Sequence, residues 1–189
     1  MSVVTGANGF LGVYVTSTLL LKGESVKALI RSGSSKKEFE TVVSLMLNGQ
    51  EHLLNNLTWV EADVTDVLSL DAAFEGEDYV YHTAAIVAFK GNSNQMSKVN
   101  VEGTANVVNA CLKAGIKKLI YVSSTAALGR TDSKAPINES TTWKDDNNNT
   151  AYAVSKHLAE LEVWRGVEEG LDVLIVNPGI ILGAGNWNK

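Results

Sequence analysis

The sequence has little with which to build a disulfide framework, a metal centre or a membrane span. Its one cysteine, Cys111, sits in a helix-like apolar context, so there is no disulfide pair and no C-x-x-C motif, and a reducing compartment fits best. The three histidines, His52, His82 and His157, are scattered, and no spacing among them and the carboxylates suggests a metal site. No run approaches the roughly 18 apolar residues that a membrane span needs. The N-terminal MSVVTG has neither a basic n-region nor an apolar h-region. These absences lead to the expectation of a cytoplasmic protein, neither exported nor membrane-inserted, in which the sequons at Asn56, Asn138 and Asn148 are chance matches. Long blocks of like charge are missing too. With Lys+Arg 16 and Asp+Glu 21 the net charge is −5, which argues against a nonspecific nucleic-acid binder and leaves room for a locally positive cleft.

What is present is an ordinary globular composition, 45% hydrophobic and 20% charged over 189 residues, with no internal repeat and no linker that would split it. One domain over 1–189 is expected. Short branched-apolar runs alternate with segments of helical period, the pattern of strands buried on both faces by helices. The strand candidates are SVVT (2–5), SVKALI (25–30), LTWVEA (57–62), DYVYHT (78–83), KKLIYVS (117–123) and LDVLIVN (171–177). Six strands separated by helices imply right-handed crossovers and an α/β fold, a doubly wound parallel sheet of Rossmann type with helices on both faces.

Two helices carry most of the remaining information. One, from about Asn94 to Ala114, places Met96, Val99, Gly103, Val107, Ala110 and Ala114 on one stripe, and Gly115 supplies its stop. The other, from about Ala151 to Glu169, has an apolar stripe of Val154, Leu158, Leu161, Trp164 and Val167 between Thr150 as N-cap and Gly170 as stop. Tyr152 and Lys156 lie off that stripe, four apart, so their side chains can converge on one point. They fit a solvated surface pair equally well unless the helix flank faces the crevice at the carboxyl ends of the strands. Polar loops are expected at SGSS (32–35), GNSN (91–94) and from Arg130 to Asn149, the last long enough to serve as a lid or substrate contact.

The first strand runs directly into TGANGFLG, residues 5–12, and then into a helix with Phe10, Val13, Ser17, Leu20 and Leu21 turned inward. Gly6, Gly9 and Gly12 have the tasks of a tight turn, an approach of backbone to pyrophosphate unobstructed by a Cβ, and close packing of helix on strand. The helix N-terminus then offers free N–H groups and a positive dipole end to phosphates, which indicates a dinucleotide site. At the end of the second strand, where a carboxylate would bind an adenosine ribose 2′-OH, the chain reads ALIRSGSS. Arg31 there favours a 2′-phosphate, hence NADP(H), with NAD(H) still possible and a solvated end-of-strand charge as the bland alternative.

In order along the chain, TGANGFLG, EADVTD, YHTAA, VNVEGTANVVNAC, LIYVSSTAALG, YAVSK and NPGIILG resemble the extended short-chain dehydrogenase/reductase superfamily. The subgroup they look most like is the dihydroflavonol-reductase-like and NAD-dependent epimerase/dehydratase proteins. The resemblance implies that Tyr152 and Lys156 are a catalytic dyad and that Gly6, Gly9, Phe10, Leu11 and Gly12 line the cofactor. Asp63 and Val64 would flank the adenine, and Ala84 and Ala85 would line the cofactor path. Asn100 would lie behind the active site, and Pro178 with Ile181 would border the nicotinamide. Asp63 could instead only cap the next turn, and Asn100 could only satisfy buried backbone. The hydroxyl that steadies the substrate oxygen is expected at Thr125, with Ser124 as the fallback if the register slips by one. Ala126 and Ala127 follow, where the family's sugar-nucleotide dehydratases carry an Asp-Glu pair, which disfavours dehydration.

By that resemblance Tyr152 is the general acid in the reduction of a ketone or aldehyde. A nearby ammonium favours phenolate, so Lys156 would tune Tyr152 as well as hydrogen-bond the nicotinamide ribose. The expected function is an NADP(H)-dependent reductase of a small carbonyl substrate. The enzymatic rival is a nucleotide-sugar epimerase with tightly bound NAD, and the rival of another class is a non-catalytic dinucleotide sensor. Family members continue into a smaller substrate domain, so the chain reads as the N-terminal part of a longer protein that in isolation binds cofactor weakly. The resemblance also implies a homodimer packed through helices 94–114 and 151–169, with Val101 and Val163 as exposed candidates for the interface.

Overall fold

A computed structural model describes residues 1–87, 93–130 and 136–185. Its strands are β1 (Ser2–Thr5), β2 (Val26–Ile30), β3 (Leu57–Glu61), β4 (Tyr79–His82), β5 (Lys118–Val122) and β6 (Val173–Val176). Between them run α1 (Phe10–Leu21), α2 (Lys37–Leu47), α3 (Val67–Phe74), α4 (Ser93–Ser97), α5 (Gly103–Ala114) and α6 (Ala151–Glu168). The six strands form one sheet in the order β3-β2-β1-β4-β5-β6, every neighbouring pair parallel. This is the doubly wound Rossmann arrangement, and its order reverses direction between β1 and β4, which opens a crevice at the carboxyl ends of those two strands. Each expected strand is present to within two residues at either end.

Apolar burial divides into two layers. Val4, Val13, Leu20, Ala28, Phe39 and Leu47 pack α1 and α2 on one face, whereas Val3, Phe74, Val80, Val107, Leu119 and Val163 pack α3, α5 and α6 on the other. On the α1 side an apolar trough lined by Tyr14, Val15, Tyr81, Ile120, Val122 and Val176 remains open among the described residues. Local chemistry sets the helix ends. Asp66 caps α3 by accepting from the Leu68 N–H, Thr150 caps α6 by accepting from the Ala153 N–H, and α5 ends at Gly115 in the left-handed region at φ 66°.

Three expectations need correction. The helix expected over 94–114 is interrupted by a π-helical turn at Lys98–Glu102, and its buried line includes Asn100, Thr104 and Cys111, which the stripe omitted. Second, α6 is turned the other way. Leu158, Leu161 and Trp164 are 41%, 49% and 52% exposed, while Ser155, Lys156, Ala159, Val163 and Gly166 are the residues that pack inward. Small residues at 159 and 166 let the helix approach α5 so closely that a Cβ on Gly166 would lie 2.6 Å from Val108 Cγ1. Val163 is therefore core rather than interface, and Val101 is only half-buried. Third, Leu21 of α1 is exposed at the helix end, and Thr16 and Leu19 take up the burial expected of it. Of the expected polar loops, Gly91, Asn92 and residues 131–135 lie outside the described residues. Among the described residues no helix is long and apolar enough to cross a membrane, and no cluster of three His, Cys, Asp or Glu could hold a metal.

Candidate active site

The site begins at the turn after β1. Gly6 has φ +65°, and a Cβ there would meet Ala84 Cα at 2.8 Å, so both the dihedral and the proximity of the β4 loop require glycine. The Gly9 N–H bonds back to Gly6 O at 2.9 Å, and α1 then starts without any side-chain cap and with no acidic residue in its first turn. Its leading N–H groups are thus left for an anion. A cavity of about 350 Å³ runs from this turn over Arg31, Ala62, Asp63, Val64, Ala84 and Ala85. A second, of about 420 Å³, shares Gly6, Gly9, Thr83 and Ala85 with the first and continues past Phe10, Leu11 and Gly12 to Ser124, Tyr152, Lys156, Pro178 and Ile181. Together they make one cleft along the carboxyl edge of the sheet. The missing Cβ, the uncapped helix start and the cleft length fit an extended dinucleotide.

At the far end of the first cavity Arg31 is exposed, and its guanidinium takes no partner among the described residues. It shares its hollow with Ser32, Ser34, Glu61, Asp63 and Asp66, so the surroundings are of mixed sign. Lys36 is engaged elsewhere, its ammonium 4.6 Å from the centre of the Trp59 ring. Asp63 does cap the following turn, its Oδ1 accepting from the Thr65 N–H and the Thr65 hydroxyl at 2.8 Å each, and it lines the cavity while doing so.

At the other end, α6 delivers Tyr152 and Lys156 from its first two turns to one cavity wall. Lys156 is only 2% exposed, and its ammonium donates to the Tyr121 hydroxyl at 2.7 Å and to Val122 O at 2.9 Å. Burial, partly offset by Glu160, draws its pKa down to about 7. Of the two hydroxyl candidates, Ser124 lines the cavity with Tyr152, whereas Thr125 is exposed, begins a 3₁₀ turn and donates its N–H to Pro178 O. Ser124 Oγ accepts from the Ala126 N–H at 3.2 Å, which leaves its own proton free to be donated. The neighbouring Ser123 is committed to Glu160 Oε2.

Asn100, on the π turn, lies behind this wall. Its Oδ1 accepts from the Ile86 N–H at 2.8 Å and its Nδ2 donates to Ile86 O and to Ser155 Oγ at 3.0 Å each, tying the β4 loop to α6. Its role among the described residues is this tether, and it lines neither cavity. Two residues that sequence reasoning passed over also shape the site. Tyr121 holds Lys156, and Glu160 accepts from both Ser123 and Asn177, which joins α6 to the ends of β5 and β6. Glu160 stands four residues after Lys156, the same spacing that singled out Tyr152, and that repeat is the signal that could have found it. Tyr121, inside an apolar strand run, gives no such signal.

The NAD dependent epimerase/dehydratase family matches residues 2–189. Among curated relatives, an anthocyanidin reductase ((2S)-flavan-3-ol-forming) of Vitis vinifera is 34% identical over 194 residues, covering 96% of this chain and 56% of its own length. A cinnamoyl-CoA reductase 1 of Petunia hybrida is 32% identical over 187 residues, covering 95% of this chain and 54% of its own. The crystal structure of gox2253 superposes with a TM-score of 0.78 at 33% identity, covering 94% of this chain and 51% of that one. The chain thus spans about half the length of the curated relatives it matches.

Proposed function

The chain belongs to the NAD dependent epimerase/dehydratase family, and from that premise we propose that it reduces a ketone or aldehyde with NADP(H). The observation that carries this reading is that Tyr152, Lys156 and Ser124 all line one cavity that is continuous with the glycine-turn cleft. Ala126 and Ala127 behind the hydroxyl offer no acid or base for dehydration, and the two relatives named above are both reductases. The bound dinucleotide supplies the hydride. Gly6, Gly9, Phe10, Leu11 and Gly12 would hold its pyrophosphate at the start of α1, Asp63 and Val64 would flank the adenine, Ala84 and Ala85 would border its path, and Pro178 and Ile181 would face the nicotinamide.

The Ser124 hydroxyl donates a hydrogen bond to the carbonyl oxygen and holds it beside Tyr152, whose phenol passes its proton to the developing alkoxide. The Lys156 ammonium stabilises the phenolate left behind. Two of its three N–H donors are committed to β5, and the third is available to the cofactor ribose. Arg31 would pair with the 2′-phosphate of NADP(H), a charge-assisted contact of roughly 1.5–3 kcal/mol. The exposed apolar stripe of α6 supports a homodimer built through α5 and α6.

Calorimetric titration of NADPH and NADH into the longest soluble form of the gene product, as wild type and as Arg31→Asp, tests the cofactor. NADPH is expected to bind more tightly and to lose at least about tenfold in the variant, while NADH is little changed. NADPH consumption with a panel of ketones and aldehydes, abolished by Tyr152→Phe, tests the reaction. Preference for NADH, or NAD that co-purifies, would make Arg31 a bystander and put a nucleotide-sugar epimerase first.

A further inference from the structure

Resting on the reductase reading above, we propose that Tyr121 is a positioning residue for Lys156. Its phenol oxygen accepts one N–H of the ammonium, and its ring packs on His82, the middle member of a buried hydrogen-bonded chain that runs from Thr104 to Thr5 at the glycine-rich turn. The direction of that chain can be worked out donor by donor. Thr104 donates its hydroxyl to Asn100 O at 2.6 Å, so its oxygen can only accept from its remaining neighbours. One of these is His82 Nε2, at 3.1 Å. His82 must therefore carry its proton on Nε2, and its Nδ1 accepts from the Thr5 hydroxyl at 2.7 Å. Thr5 Oγ1 in turn accepts the Ala84 N–H at 3.3 Å. Tyr121 packs its ring against that of His82, with centroids 5.6 Å apart, and presents a lone pair of its phenol oxygen to Lys156 Nζ at 2.7 Å.

Every polar side chain in this series is buried, namely Thr5, His82, Thr104, Tyr121 and Lys156. An unmade bond inside it would leave a polar group with no water to turn to. Tyr121 thus fixes the ammonium from the β5 side, and its packing on His82 joins that fixation to the loop on which the dinucleotide would rest. Neutrality of the middle members follows from the same burial. The His82 imidazole is held down to about 3, by burial first and by the Lys156 charge second, and the Tyr121 phenol is pushed well above the usual tyrosine range by burial. The titratable groups facing Lys156 are Tyr121 from β5, His82 from β4, and Tyr152 and Glu160 from its own helix. The π turn and α5 contribute Asn100 and Thr104, which do not titrate in this range. A neutral phenol accepting from the ammonium favours the charged lysine, opposing the burial that disfavours it.

Tyr121→Phe keeps the ring and removes the acceptor. The primary measurement is the titration of Lys156 itself, by NMR of ε-¹³C-labelled lysine with the signal assigned through its loss in Lys156→Arg; it needs neither substrate nor cofactor. The midpoint is expected to fall by about one pH unit in Tyr121→Phe, and by a similar step in Tyr121→Met, which removes the same acceptor and keeps the test alive if the first variant does not fold. An unmoved midpoint in both variants would overturn the proposal. In carbonyl reduction the Phe variant is expected to lose about tenfold in kcat at pH 8 and less at pH 6, whereas a purely structural defect would lower both equally. A shifted midpoint in a protein that reduces no carbonyl would retain the positioning role and sink the reductase reading alone. Reduction that depends on Tyr152, with Lys156 titrating unchanged, would do the reverse.

Discussion

Replacing Gly12 by alanine sets two effects of opposite sign against each other. In the interior of an exposed helix the change gains about 1 kcal/mol, because alanine is the better helix former. At this site the added Cβ would lie 2.1 Å from Gly6 O and 2.8 Å from Ala7 Cα, both of them backbone. A side chain could rotate away, but the turn between β1 and α1 cannot. The helix must withdraw by about 1 Å, at the upper end of the roughly 1–3 kcal/mol that overpacking costs. The net expectation is a loss of about 2 kcal/mol, seen as a fall in Tm of about 4–8 °C for a domain of this size. Withdrawal also moves the N–H groups that would cradle a pyrophosphate, so NADPH affinity should fall at least about tenfold. The matched control is Gly115→Ala at the end of α5, where φ is +66° and nothing lies within 4 Å. That variant pays only the left-handed dihedral, about 1–2 kcal/mol, with cofactor affinity intact. Urea denaturation and calorimetry on both variants decide the matter. A Gly12→Ala protein that is more stable than the wild type, or that binds NADPH equally well, would refute the close-packing account of this turn.

Lys156 sets a pH dependence of stability. Its folded pKa of about 7 lies below the unshifted 10.5, so between these values the unfolded chain holds the proton that the folded one lacks, and stability rises with pH across that window. Below about 7 the ammonium is charged in both states and its burial is fully opposed; Lys156→Met should flatten the slope of unfolding free energy between pH 7 and 9, measured by urea melts, and an unchanged slope would count against the burial argument. On the opposite face of α6, Leu161→Lys with Trp164→Lys should convert a dimer to a monomer in light scattering without loss of helical circular dichroism, and a wild type that is already monomeric would remove the proposed interface.

How much of this was legible in the sequence depended on whether chemistry and burial agreed locally. The strands were readable because a parallel sheet covered on both faces demands continuous branched-apolar runs, and VVT, VKALI and KLIYV leave no other reading. The glycine turn was readable because its spacing has one mechanical purpose. Helix α5 was only partly so. Its apolar stripe is real, but the π turn that interrupts it follows from the Asn100 side chain binding Ile86, a contact across sequence that no period can announce. The choice between Thr125 and Ser124 was a register question that only the 3₁₀ turn after β5 answers in space: Ser124 turns into the cavity and Thr125 turns away. Tyr121 was invisible because a tyrosine in a buried strand reads as packing, and what distinguishes it is the ammonium across the gap.

The reversed face of α6 has a physical cause that ties several of these observations together. Hydrophobicity alone would bury Val154, Leu158, Leu161 and Trp164. Rotating the helix to do so would carry Lys156 and Ser155 into solvent and break their bonds to Tyr121, Val122 O and Asn100. The observed rotation keeps those bonds, and Ala159 and Gly166 make it sterically possible by letting α6 lie close on α5. The fold therefore gives up apolar burial on one face to hold an ammonium in a dry, hydrogen-bonded position on the other. Such an arrangement costs stability unless something uses the buried charge and something covers the exposed stripe. The proton-transfer site answers the first requirement and the α5–α6 interface the second, so a single rotation of one helix links the proposed chemistry to the proposed assembly.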